Sequence, residues 1–129
     1  MTEHVFALLL VEDDSQIGEL YRDFFTEKGY TLFWAKNGSE GLIIAFEKQP
    51  DLILLDLVMP KMDGMSMLSE LRSDHWGRTV PVIVMTNLNP SASIKNKLTE
   101  YMPLELLLKV DVTPGQVLEK VTEMLKSQP

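Results

Sequence analysis

Five times along this chain a short apolar run is followed by a helical pattern, and that alternation restricts the fold more than any other feature. The first run, His4–Val11, lacks period-two alternation, as expected of a strand covered on both faces. Behind it Ile17, Leu20, Tyr21, Phe24 and Phe25 recur at the spacing of one helical stripe. Asp14 or Ser15 can cap that helix, and Gly29 can end it. The pattern repeats with strands at Thr31–Ala35, Leu52–Leu55, Val80–Met85 and Leu104–Leu108. Asn37 caps the second helix, with Glu40 three residues later, and Pro50 bars its continuation past about Lys48. The third helix runs from Gly64 to about Ser73. The fourth is expected to start at Asn89-Pro90, cap then first-turn proline, and to reach about Glu100. The fifth starts at Thr113-Pro114 with Gln116 as capping partner, and Val117, Leu118, Val121, Met124 and Leu125 share its apolar face.

Strands alternating with helices imply a parallel sheet with helices on both faces, and right-handed crossovers make it a doubly wound three-layer α/β fold. The length of 129 residues suits one domain, expected to span 1–129. Composition adds exclusions. With no cysteine there is no disulfide scaffold, thiolate metal site or thiol nucleophile. Twelve Lys and Arg stand against 19 Asp and Glu, a formal net charge of −7, so this chain is not expected to bind nucleic acid directly. The run from Val5 to Val11 is too short to span a bilayer, and no Lys or Arg precedes it as in a signal peptide. A cytoplasmic protein is the expectation, without membrane insertion.

In doubly wound folds ligands sit beyond the carboxyl ends of the strands. Those ends carry Glu12-Asp13-Asp14, then Asp56, Thr86 and Lys109. Each residue type alone would be ordinary: Asp as a cap, Thr as a strand end, Lys as a solvated cation. Four strands ending in this set at one edge are not ordinary. Carboxylates crowded into one cleft repel one another, and a divalent cation relieves that. Oxygen-only ligands suit Mg²⁺ or Mn²⁺, which bind a few carboxylates together with phosphate oxygens. A carboxylate can act as nucleophile to give an aspartyl phosphate. Lys109 and the Thr86 hydroxyl could meet the added phosphoryl group.

These residues resemble the receiver domain of bacterial response regulators over essentially the whole chain. The resemblance rests on Leu9-Leu10-Val11-Glu12-Asp13-Asp14, the segment Pro50 to Pro60 around Asp56, Met62-Asp63-Gly64, Pro81 to Thr86, and Lys109. It implies a flavodoxin-like sheet with strand order 2-1-3-4-5. It implies that Asp56 accepts a phosphoryl group from a sensor histidine kinase or a histidine phosphotransfer protein. Asp13, Asp56 and the backbone carbonyl of Val58 would bind Mg²⁺, with Glu12 acting through water. Thr86 would read the phosphoryl group and Lys109 pair with it. The fourth helix, fifth strand and fifth helix would form the surface for a downstream protein target. The resemblance also implies a signalling switch that catalyses only its own phosphorylation and dephosphorylation. The last helix ends near Lys126, so the sequence as given carries no expected output domain: it is either a stand-alone receiver or a domain cut from a larger protein.

The chain departs from the family pattern in places. Val110 follows Lys109 where proline is usual and often cis, Leu106 replaces a common aromatic, and Asn87 replaces a small residue. Val58 and Leu88 are apolar at positions that tune hydrolysis, which predicts slow dephosphorylation. A phosphorylation-independent interaction module with the same fold is the alternative. A flavin site is excluded because Glu12-Asp13-Asp14 would repel the cofactor phosphate. An aspartyl phosphatase of the haloacid dehalogenase type would need an Asp where Val58 stands. Met59, Met62, Met65 and Met67 are expected to fill core gaps. Trp76 is expected to be a partly buried anchor. His4 and His75 lack ligand spacing. Lys95 and Lys97 are expected to be solvated.

Overall fold

In the computed structural model, which describes residues 5–58, 62–87 and 90–126, the apolar runs form β1 (Ala7–Val11), β2 (Thr31–Ala35), β3 (Leu52–Asp56), β4 (Val82–Thr86) and β5 (Leu104–Leu108). They pair in parallel, in the order β2-β1-β3-β4-β5, as the resemblance implies. The helices between them are α1 (Ser15–Glu27), α2 (Gly38–Lys48), α3 (Gly64–Ser73), α4 (Ala92–Leu98) and α5 (Pro114–Lys126).

Alternation within each strand divides the core. Leu8, Leu10, Leu52, Leu54, Ile83 and Met85 point to the face covered by Tyr21 and Phe25 of α1 and Val117 and Val121 of α5. Leu9, Val11, Ile53, Leu55, Val82 and Val84 point to the other, covered by Leu42 and Ala45 of α2, Met67, Leu68 and Leu71 of α3 and Leu98 of α4. Both faces being covered is why these strands read as unbroken apolar runs. Among the described residues no helix is long and apolar enough to cross a membrane.

The caps follow the sequence closely. Asp14 accepts from the amides of Gln16 and Ile17, Asn37 from Glu40 and Asp63 from Ser66. Thr113 and Gln116 exchange bonds, the Thr113 amide to Gln116 Oε1 and the Gln116 amide to Thr113 Oγ1. The Gln49 backbone turns left-handed at φ 46° after α2, just before Pro50.

Several boundaries and one face differ from expectation. Ser91, not Asn89, caps α4 through a 3.2 Å bond from the Ile94 amide. Ser91 is itself a strong cap, so Pro90 precedes the helix rather than opening it. The last turn of that segment tightens to a 3₁₀ turn, Thr99–Tyr101. β1 begins at Ala7 and β4 at Val82, the latter because Pro81 has no amide to donate. β4 extends to Thr86 and β3 to Asp56. Leu20 is 54% exposed, because α1 presses Gly18, Tyr21 and Phe25 inward instead. Met67 is fully buried, with Met62 and Met65 packed beside it. Trp76 is half-buried and meets Phe46 edge to face at 6.4 Å. His4, Met59, Leu88 and Asn89 lie outside the described residues.

Candidate functional site

Pairing register brings the strand ends to one edge. Val11 lies opposite Leu55, Asp56 opposite Met85, and Thr86 opposite Leu108. Glu12, Asp56 and Thr86 therefore each end or follow a central strand, Lys109 follows the edge strand β5, and all four face one cleft. That cleft has a volume of about 420 Å³ and is lined also by Asp13, Asp14, Val58 and Asn87. All the site residues expected from the sequence line it.

Burial is uneven. Glu12 has no accessible surface, Thr86 has 3% and Asp56 5%, whereas Asp13 is exposed. Ligand-capable oxygens of Glu12, Asp13 and Asp56 lie within 4.8 Å of one another. Lys109 Nζ donates to Glu12 Oε1 at 2.5 Å and to Asp56 Oδ2 at 3.1 Å. The other Glu12 oxygen accepts from the Asp14 amide at 3.1 Å, and Asp56 Oδ1 accepts from the Val58 amide at 3.3 Å. The Val58 side chain is 68% exposed at the rim.

The resemblance pairs Lys109 with an incoming phosphoryl group. The structure adds that Lys109 already bridges two buried carboxylates. Burial pushes the Glu12 pKa above 4.5, against the opposing pull of Lys109 and the Asp14 amide. Burial alone would lower Lys109, but the bond to Glu12 and the charges of Glu12 and Asp56 together raise it above 10.5. A raised folded-state pKa means that the folded chain holds this proton more tightly than the unfolded one. The stability it contributes is full below pH 10.5 and is lost as pH rises through the folded value. Thermal unfolding across that range should therefore fall more steeply in the wild type than in Lys109→Met. Equal slopes would contradict this.

The loop from Asp56 to α3 is closed by glycine. The Gly64 amide donates to the Leu57 carbonyl at 2.9 Å, and a side chain on Gly64 would lie 2.7 Å from the Asp56 carbonyl. Gly38 docks α2 on the same loop through a 3.0 Å bond to the Met62 carbonyl. The Lys109–Val110 bond is not cis: among the described residues the cis peptide is Met102–Pro103. Lys109–Asp111 forms a 3₁₀ turn instead, which carries the ammonium back to Glu12 and leaves Val110 exposed. Asn87 stays exposed at the cleft rim.

Comparison with known proteins agrees with this geometry. The family described as response regulator receiver domain matches residues 8–121. A probable C4-dicarboxylate response regulator, DctR, of Halalkalibacterium halodurans is 38% identical over 110 residues, covering 83% of this chain and 46% of that protein. The polar-differentiation response regulator DivK of Brucella anthropi is 36% identical over 80 residues, covering 62% of this chain and 65% of that protein. The aligned stretches thus span about half to two thirds of these relatives. Among solved structures, the receiver domain of a Pseudomonas aeruginosa sensor histidine kinase superposes with a TM-score of 0.85 at 25% identity, covering 96% of this chain and all of that one. That structure has a magnesium ion coordinated in its active-site cleft. By sequence match, strand order and the acidic cleft at the strand ends, this chain belongs to the response regulator receiver domain family of two-component signalling.

Proposed function

We propose that this chain is a phospho-accepting switch in which Asp56 is the nucleophile. The observation that carries this reading is the convergence of Glu12, Asp13 and Asp56 within 4.8 Å beside Lys109. The donor set is all oxygen, and one ammonium leaves its negative charge in excess, which fits a hard dication such as Mg²⁺ or Mn²⁺. Asp13, Asp56 and the Val58 carbonyl would hold it, with Glu12 acting through water. When bound, the ion offsets charge on the transferring phosphoryl oxygens.

An Asp56 carboxylate oxygen attacks the phosphorus of a phosphohistidine on a sensor kinase or phosphotransfer protein. The phosphorus–nitrogen bond breaks, and its electrons stay with the imidazole, which takes a proton. Lys109 donates to a phosphoryl oxygen, and so does the Thr86 hydroxyl. Drawing Lys109 and Thr86 toward the new group alters the ends of β4 and β5. The conformational population then shifts at the α4–β5–α5 surface, where the downstream protein binds. Residues Ala92 to Lys97 of α4 are exposed and Leu98 is its buried residue, so few contacts resist such a shift.

Borohydride treatment after incubation with acetyl phosphate and Mg²⁺ tests the assignment. Hydride displaces phosphate from an acyl phosphate and should leave homoserine at position 56 in the peptide map. Reduction at another carboxylate, or at none, would contradict it. The phosphorylated state should decay with a half-life of minutes or longer. Neither Val58 nor Leu88 carries a group that can orient an attacking water. Decay within seconds, followed by phosphate release, would contradict that.

A further inference from the structure

Asp13 is the one member of the acid cluster with no hydrogen bond recorded among the described residues, and it is exposed. The Asp13 carboxylate follows the backbone that carries it. That backbone runs from Glu12, at the end of β1, into the first turns of α1. One side chain from the sheet edge touches both ends of the segment.

Trp34 lies in β2 opposite Leu10. Its indole Nε1 donates to the Glu12 carbonyl at 2.9 Å. The benzo edge of the same ring lies on Gly18, where an added side-chain carbon would stand only 1.9 Å from Trp34 Cζ2. Arg22 and Lys36 lie over the ring, at 5.8 and 5.3 Å from its centroid. Glycine inside a helix is destabilising relative to alanine. Gly18 is the residue that lets α1 come this close to the indole.

We infer that Trp34 is a positioning residue for the divalent-cation site, acting through the Glu12 carbonyl and Gly18 to set the place of Asp13. The inference rests on the metal site proposed above. The indole N–H satisfies a backbone carbonyl next to Asp13, and the ring stops α1 from sliding along β2. Without this clamp the Glu12–Asp14 turn would have more conformations to lose when a cation binds.

Calorimetric titration with Mg²⁺ tests it on the full chain. Trp34→Phe keeps a ring over Gly18 but has no N–H, and Gly18→Ala keeps the indole but pushes it off the carbonyl. Each should weaken Mg²⁺ binding by about tenfold, the lower end for losing a hydrogen bond that orients a ligand-bearing group. Trp76→Phe should bind as the wild type does. A purely structural Trp34 would lower the melting temperature and leave Kd unchanged. A second readout needs no variant: the Trp34 indole N–H resonance of the wild type should move on saturation with Mg²⁺. A Kd within about twofold of wild type in a folded Trp34→Phe chain, or an unmoved indole resonance, overturns the inference. Absence of Mg²⁺ binding by the wild type would instead remove the metal site itself, and this inference with it.

Discussion

Replacing Lys109 with methionine is expected to lower the unfolding free energy by about 3 kcal/mol at neutral pH in the absence of divalent cations. Counting side chains alone, Lys109 is 9% exposed, and the Glu12 and Asp56 side chains that it bridges are 1% and 8% exposed. Methionine keeps much of the side-chain volume, so the loss is mainly electrostatic. Two buried carboxylates would then face each other and Asp13 with no countercharge. Mg²⁺ should stabilise this variant more than it stabilises the wild type, because a bound cation relieves the greater repulsion. Urea titration with and without Mg²⁺ measures both effects. A loss below about 1 kcal/mol, the range of an exposed pair, would show that Lys109 does not hold the cluster together.

Arg72→Ala should be at least as damaging, although it is far from the cleft. The Arg72 guanidinium donates to four backbone carbonyls: Tyr101 at 2.8 Å, Gly77 at 2.7 Å, Val80 at 2.6 Å and Pro103 at 2.8 Å. It ties α3 to the segment entering β4 and to the turn entering β5. Burial lowers its pKa to about 10, which leaves it charged at neutral pH. Removing it strands several carbonyls at once, at roughly 1–3 kcal/mol for each that water cannot reach. A loss of about 3–5 kcal/mol is therefore expected. Lysine should restore little of it, because a point charge cannot reproduce the planar fork. A denaturation midpoint for Arg72→Ala close to wild type would refute this role.

Much of this is legible in the sequence. Leu52–Leu55 and Val82–Met85 carry their burial in composition alone, and caps such as Asn37 and Thr113 are local chemistry. The strand-end rule located Glu12, Asp56, Thr86 and Lys109 on one edge, and the structure places them in one cleft. What escaped are side chains whose partners are distant in sequence. Arg72 looks like any cation in the last turn of a helix until the carbonyls of the segments entering β4 and β5 arrive around it. The Glu12–Lys109 pair spans 97 residues, and neither partner's local pattern names the other. Trp34 reads as an ordinary strand aromatic. Its one signal was Gly18, a glycine set within an otherwise strong helical stripe. At α4 two caps competed, and local propensity for Asn89-Pro90 lost to Ser91.

Asp56 as phosphoacceptor is the central claim, and intact mass after incubation with acetyl phosphate tests it most directly. The wild-type chain with Mg²⁺ should gain one phosphoryl group. It should gain none without a divalent cation, and Asp56→Asn should gain none with it. An equal gain in Asp56→Asn would move the acceptor elsewhere. No gain in the wild type, under conditions that label another receiver, would contradict the account and favour an interaction module that works without phosphorylation.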